Sequence, residues 1–172
     1  MFTVGQNRNK QAEIDKKKKV KRKGLLYMLV STRGRYALRM MVELATKAEG
    51  EYTSLKDISH RQDISIKYLE QISSLLSKSG LLKSARGANG GYRLVKRPDQ
   101  YTVREILLVT EGSLAPVACL GDECANCEHA VDCATMDLWS GLEKVINDYL
   151  SGVTLGDLLQ RYYEKGSNAY VI

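Results

Sequence analysis

The run SLKDISHRQDISIKYLEQISSLLSKSGLLKSARGANGGYRL, residues 54–94, decides the fold, and it reads as two short helices followed by a hairpin. Ser54 and Asp57 stand at the S-x-x-D spacing of a capping box, so a helix starting at Leu55 has its first free amides satisfied. After a break near Asp63, Ser65 is an N-cap for a second helix, in which Ile66, Leu69, Ile72, Ser73 and Leu76 share one face. The opposite face carries Lys67, Gln71, Ser74 and Lys78. A buried helix has no use for such a row, whereas a helix laid in the DNA major groove needs donors and acceptors there. Leu81 to Arg86 and Tyr92 to Val95 then read as strands joined by the glycine-rich tip 87–91. The order is helix, turn, helix, wing. The expected class is mainly α with a small β-hairpin, a winged helix-turn-helix domain.

The glycines do not make a phosphate-binding loop. They lack the Gly-Lys-Ser/Thr of a P-loop, do not fit G-x-G-x-x-G, and lie between two strands instead of opening a helix. Arg86, at the base of the tip, is placed to enter a narrow minor groove, where negative potential is strongest. Within the second helix, Tyr68 and Glu70 flank the polar row. The tyrosine is a candidate phosphate partner and the glutamate a candidate acceptor from cytosine.

Upstream, Ser31 or Thr32 caps a helix of roughly Arg33 to Lys47, with Leu38, Met41, Val42 and Ala45 toward the core and Gly50 as its terminator. Arg33, Arg35 and Arg39 near its start are within reach of phosphates flanking the groove. Residues 1–27 form a polar, basic extension ending in a lysine-rich block, expected to be disordered. Met28 opens a more ordinary beginning.

Downstream, Thr102 and Glu105 form a second capping box, for a helix through about Thr110. Beyond Gly112 the sequence places all four of its cysteines, Cys119, Cys124, Cys127 and Cys133, within 15 residues. Such clustering points to metal or redox chemistry. Zinc usually takes two separated short-spaced pairs, and here a single C-x-x-C exists, whereas an iron–sulfur cluster tolerates looser spacing. The spacing leaves an iron–sulfur cluster, zinc and a thiol switch as alternatives, with His129 as a possible substitute ligand. From there to Leu150 a helical run carries Leu138, Leu142, Val145, Ile146, Tyr149 and Leu150 as an apolar seam suited to pairing with a second copy. Thr154 caps a short helix through about Tyr162.

Charge follows the same division. Residues 1–27 carry +7, residues 28–100 carry +6 and residues 101–172 carry −7, so the front half alone is suited to a polyanion. No apolar run approaches the roughly 20 residues of a membrane span, and the basic start lacks a signal-peptide core, so a cytoplasmic, membrane-free protein is expected. No nucleophile–base pair or carboxylate dyad stands at usable spacing, which argues against an enzyme.

Three stretches carry a resemblance: Ser31 to Ala37, Ser65 to Gln71 and Arg86 to Tyr92, with Leu138-Trp139 and Thr154 to Leu158 bracketing the seam helix. Together they resemble the dimeric winged-helix transcription regulators of the IscR/NsrR/CymR type, over about residues 28–162. The resemblance implies a homodimer on a double-stranded, near-palindromic DNA operator. Its DNA-facing residues would be Arg33, Arg35, Ser65, Lys67, Tyr68, Glu70, Gln71, Arg86, Gly87, Gly90 and Gly91. It also implies a [2Fe–2S] or [4Fe–4S] cluster held by Cys119, Cys124, Cys127 and Cys133, with zinc as the alternative, and control of iron–sulfur assembly genes. Cluster-bearing members carry a histidine three residues after their last cysteine, where this chain has Met136. The ligands would then be four thiolates, or three with one from elsewhere. Cluster-free members allow a rival reading, in which a partner enzyme of sulfur metabolism supplies the signal. The implied organisation is an extension (1–27), a reader (28–112), a cysteine loop (113–134), a dimerisation helix with a short terminal helix (135–162) and a tail (163–172). Family members begin at the equivalent of Met28.

Overall fold

The computed structural model describes residues 30–87, 89–121 and 132–167. The basic extension lies outside them. Helix α1 spans Thr32–Ala45, and Ser31 caps it by accepting from the amides of Arg33 and Gly34. Ala37, Met40, Met41, Leu44 and Ala45 turn into the core, while Leu38 and Val42 are only partly buried. The expected glycine terminator is not used: Thr46 closes the helix in right-handed geometry, and Gly50 takes its positive φ in the turn beyond.

Helices α2 (Leu55–Gln62) and α3 (Ile66–Lys78) form the helix-turn-helix. Ser54 Oγ accepts from the Asp57 amide at 3.1 Å, so the capping box forms as expected. Asp63 sits in left-handed geometry between the helices, with φ 50°, a conformation that aspartate tolerates better than most residues. Leu69, Ile72, Ser73 and Leu76 of α3 are buried against α1 and α2. Ile66 is not. It stands 43% exposed on the first turn, ahead of the point where α3 meets the core.

The wing consists of β1 (Leu82–Ala85) and β2 (Gly91–Leu94), antiparallel with Leu82 opposite Leu94 and Ala85 opposite Gly91. Helix α4 (Val103–Glu111) lies across α1, capped as expected by Thr102, whose hydroxyl accepts from the Glu105 amide. Helix α5 spans Met136–Gly152 and α6 spans Leu155–Ser167, one turn longer than its spacing predicts. No residue of α5 is buried, and Leu138, Val145 and Tyr149 are each more than 60% exposed. Among the described residues no helix is long and apolar enough to cross a membrane.

The reader and α5 are joined by more than a loop. The segment Thr102–Val103 runs antiparallel to Val153–Thr154, with the Val103 amide donating to Val153 O and the Leu155 amide to Tyr101 O, both at 2.9 Å. Arg104 Nε donates to Asn147 Oδ1 at 2.8 Å, and Leu155 is fully buried in the main core. The cysteine loop is therefore not the sole link between the reader and α5. A second apolar cluster of Val103, Leu107 and Leu114, with Leu150, Val153 and Leu158 against it, binds the C-terminal helices to α4.

Candidate nucleic-acid interface and cysteine loop

Burying one face of α3 fixes what the other face shows. Lys67, Glu70, Gln71, Ser74 and Lys78 are all exposed, a polar row opposite Leu69, Ile72 and Leu76. Ser65 occupies the N-cap position but makes no side-chain cap bond, leaving its exposed hydroxyl unspent by the helix. Tyr68 departs from the expected freely presented side chain. It is half-buried, and its ring meets Tyr36 of α1 edge-on, centroids 5.6 Å apart. The ring is first a packing element between α1 and α3.

At the start of α1, Arg33 and Arg35 are exposed, and Arg35 Nη2 donates to Thr32 Oγ1 at 3.1 Å. Arg39 is drawn into the joint with α2 instead. Its guanidinium stacks on Tyr36, its Nε donates to Gln62 Oε1 at 3.1 Å, and its Nη2 donates to the Gln62 carbonyl.

The same joint holds a residue that the apolar spacing of α1 does not reveal. Glu43 is 3% exposed, and its carboxylate accepts from Arg61 Nη1 at 2.7 Å and from Gln62 Nε2 at 2.9 Å. The bond from Arg61 raises the guanidinium pKa above its ordinary value. A charge at the core edge is tolerated because two donors of α2 meet it. The available signal was an acid beside the stripe of α1 and an arginine ending α2, 18 residues apart.

The wing is anchored at its base by Tyr101, a fully buried side chain whose hydroxyl accepts from the amides of Val95 and Lys96, each at 2.8 Å, and donates to Leu81 O at 2.9 Å. Thr53 extends the sheet by exchanging both backbone bonds with Tyr92. Gly91 is required by that pairing. Its φ is +149°, and a methyl group there would collide with the Thr53 backbone. At Gly90 a methyl group would meet the carbonyl oxygens of Ala85 and Gly87. Gly87, Gly90 and Gly91 thus shape the tip, while Arg86 is exposed where β1 ends.

Of the four cysteines, Cys119 and Cys133 are described, while Cys124, Cys127 and His129 lie outside the described residues. Cys119 sits on the 3-10 turn Ala118–Leu120. Both described thiols are half-buried and free of disulfides. Thr135 Oγ1 accepts from Trp139 Nε1 at 3.2 Å, which leaves its proton to be donated to Cys133 Sγ, 3.4 Å away. That hydrogen bond lowers the Cys133 pKa below its ordinary value, favouring the thiolate that metals bind. Met136 opens α5 with its amide on Cys133 O at 3.1 Å, so no imidazole stands there. Soft sulfur donors, one biased toward thiolate, fit a thiophilic centre such as an iron–sulfur cluster or zinc.

Residues 30–161 match the family described as Rrf2, iron-dependent transcriptional regulator. The chain is 40% identical over 144 residues to the HTH-type transcriptional regulator CymR of Bacillus subtilis, covering 84% of this chain and 98% of that one. It is 39% identical over 132 residues to the HTH-type transcriptional regulator IscR of Aliivibrio salmonicida, covering 77% of each. Among solved structures it resembles that of CymR, the global cysteine regulator of B. subtilis, with TM-score 0.63 and 42% identity over 76% of this chain and 95% of that one. It also resembles T. potens IscR, with TM-score 0.61 and 32% identity over 83% and 90%.

Proposed function

The chain belongs to the Rrf2 family of transcriptional regulators, and from that premise we propose that it is a homodimeric repressor that reads a near-palindromic operator and senses iron–sulfur or redox status through its cysteine loop. The observation that carries the DNA-reading part is the exposed row Lys67, Glu70, Gln71, Ser74 and Lys78 on a helix whose other face is core. In the major groove these side chains and Ser65 reach base edges and phosphates, while Arg33 and Arg35 take flanking phosphates and Arg86 enters the minor groove from the wing. Tyr68 contributes through its contact with Tyr36, which fixes how α3 sits on α1. Residues 28–112 act as the reader, 113–134 as the sensing loop and 135–162 as the pairing element.

Cys119, Cys124, Cys127 and Cys133 are the proposed ligands, with four thiolates compatible with [2Fe–2S] or [4Fe–4S]. When bound, such a cluster supplies an oxygen- and redox-sensitive link among the thiolates. The chain's own residues carry the consequence. Glu111 and Gly112 anchor one end of the loop on α4, and Cys133, Thr135 and Met136 anchor the other on α5. A change in the loop biases how α4 and α5 meet at Arg104 and Asn147.

The second reading is a zinc-stapled or metal-free regulator controlled by a partner enzyme of sulfur metabolism. It is favoured by Met136 in the histidine position and by the similarity to CymR. An ultraviolet–visible spectrum of protein purified without oxygen, with iron, sulfide and zinc counted, separates the two. A brown protein with roughly two or four irons per chain supports the cluster sensor. Colourless protein, with zinc or with no metal after reconstitution, sinks it.

A further inference from the structure

We infer that Glu111, an acidic residue, strengthens DNA binding by holding the first turn of α1 in the pose that sets Arg33 and Arg35 on the phosphate backbone. This rests on reading that turn as a phosphate contact, and it adds a positioning residue outside the basic set. Glu111 is the last residue of α4, and its Oε1 accepts from Ser31 Oγ at 2.9 Å and from the Ser31 amide at 3.3 Å, across 80 residues of sequence. Ser31 is the N-cap of α1, its hydroxyl already accepting from the Arg33 and Gly34 amides. The carboxylate therefore orients the hydroxyl that caps the helix, so that Ser31 donates to Glu111 and accepts from α1. It also brings negative charge to a helix start that has no acid of its own in the first turn.

Gly34 makes the arrangement possible. It is buried, and a methyl group on it would fall inside contact distance of Glu111 Oε1 and would also press on Leu107 Cδ2 at 3.1 Å, so both side-chain ends must give. The clashes are with the far ends of flexible side chains, so Gly34→Ala displaces the carboxylate without breaking the backbone. Arg33 and Arg35 flank Gly34 directly. Whatever fixes this turn fixes both guanidiniums.

Positioning and simple electrostatics predict opposite signs. Near a polyanion, removal of a negative charge by itself tightens binding, and displacement of a retained charge by itself changes little. If Glu111 positions the turn, Glu111→Ala, which removes the acceptor, and Gly34→Ala both weaken binding, while Glu111→Gln, whose amide Oε1 still accepts from Ser31, stays close to wild type.

The test titrates the full-length protein and each variant against a fluorescein-labelled mixed-sequence duplex spanning two half-sites, by anisotropy at several salt concentrations, with melting curves on the same samples. The expected result is about five- to tenfold weaker binding for Glu111→Ala and for Gly34→Ala, with a salt slope shallower by about one. The double variant Arg33→Ala, Arg35→Ala should weaken binding at least as much. Affinity unchanged or increased in Glu111→Ala, or a lowered melting temperature with affinity intact, overturns the positioning role. If the double arginine variant also binds as wild type, the phosphate-contact reading of α1 fails with it. If that variant alone weakens binding, the reading stands and Glu111 is structural.

Discussion

The hydroxyl of Tyr101 donates to the carbonyl oxygen of Leu81 at 2.9 Å, closing the base of the wing just outside the last strand pair, Leu82 with Leu94. The Tyr101 hydroxyl oxygen in turn accepts from the Val95 and Lys96 amides, so one phenol satisfies three backbone groups where the ladder ends. Tyr101→Phe keeps the ring and leaves Leu81 O unpaired in a buried site, and the Val95 and Lys96 amides without their partner at its edge. We expect a loss of about 1–3 kcal/mol, read as a lower urea midpoint at unchanged m-value. Hydrogen exchange should show faster opening at Val95 and Lys96 than at Leu76 in α3.

Glu43 and Arg61 form an unequal pair, with the carboxylate 3% exposed and the arginine side chain 49% exposed. Removing either partner therefore has different consequences. Arg61→Ala leaves a buried carboxylate facing Gln62 alone, whereas Glu43→Gln leaves an arginine that water reaches. Glu43→Gln should cost about 1–3 kcal/mol. Urea unfolding should rank Arg61→Ala as the more destabilised, and equal midpoints would contradict the assigned asymmetry.

These two devices mark the boundary of what the sequence discloses. Helix starts were legible because caps are local: Ser31, Ser54 with Asp57, and Thr102 with Glu105 satisfy amides two or three residues away. The wing was legible because two strands flank a glycine-rich tip, although its pairing covers Leu82–Ala85 and Gly91–Leu94 and not the longer runs. Ile66 misled because its position on the α3 wheel is apolar while its place, on the first turn, lies beyond the core. Glu43, Tyr101 and Glu111 were not legible as site-shaping residues, since their partners are 18, 20 and 80 residues away and tertiary packing decides them. Among the proposed DNA-facing residues, polarity announced the exposed lysines and arginines. It could not announce that Tyr68 is packed on Tyr36.

Asp157 closes the capping box of α6, its Oδ2 accepting from the Thr154 amide and hydroxyl, both at 2.8 Å. Those bonds hold its carboxyl below the ordinary 3.8. A folded-state pKa below the unfolded one contributes stability above the unfolded value, lost as pH falls through the folded value. Wild type should therefore melt above Asp157→Asn at pH 7, with the gap closing as the pH drops below 3.8. A gap that persists at lower pH would assign the difference to shape and not to charge.

Leu138, Leu142, Val145 and Tyr149 leave an exposed apolar seam on α5, while Leu150 at its end joins the cluster around Val103. If the seam pairs two copies, each substitution acts twice in a symmetric interface. Burying a leucine or valine contributes roughly 1.5–3 kcal/mol, so Val145→Asp should weaken dimerisation by about a hundredfold or more. Sedimentation velocity should show a concentration-dependent dimer for wild type and a monomer for the variant. A wild-type monomer at all accessible concentrations would remove the pairing role from α5.

Arg86 follows Ala85 at the end of β1, exposed, on a wing whose base is fixed by Tyr101 and whose return strand is locked to Thr53 through Tyr92. A long side chain on an anchored hairpin loses less freedom on binding than one on a free arm, so its contact is retained in affinity. Placed in a minor groove, the guanidinium gains most where the groove is narrow, which couples its contribution to A·T-rich flanks. Arg86→Ala should weaken operator binding by about 1–3 kcal/mol and reduce the salt slope by about one. The loss should be larger on an operator with A·T flanks than on one with G·C flanks. Equal losses on both would place Arg86 on phosphates outside the groove, and no loss on either would take it out of the interface.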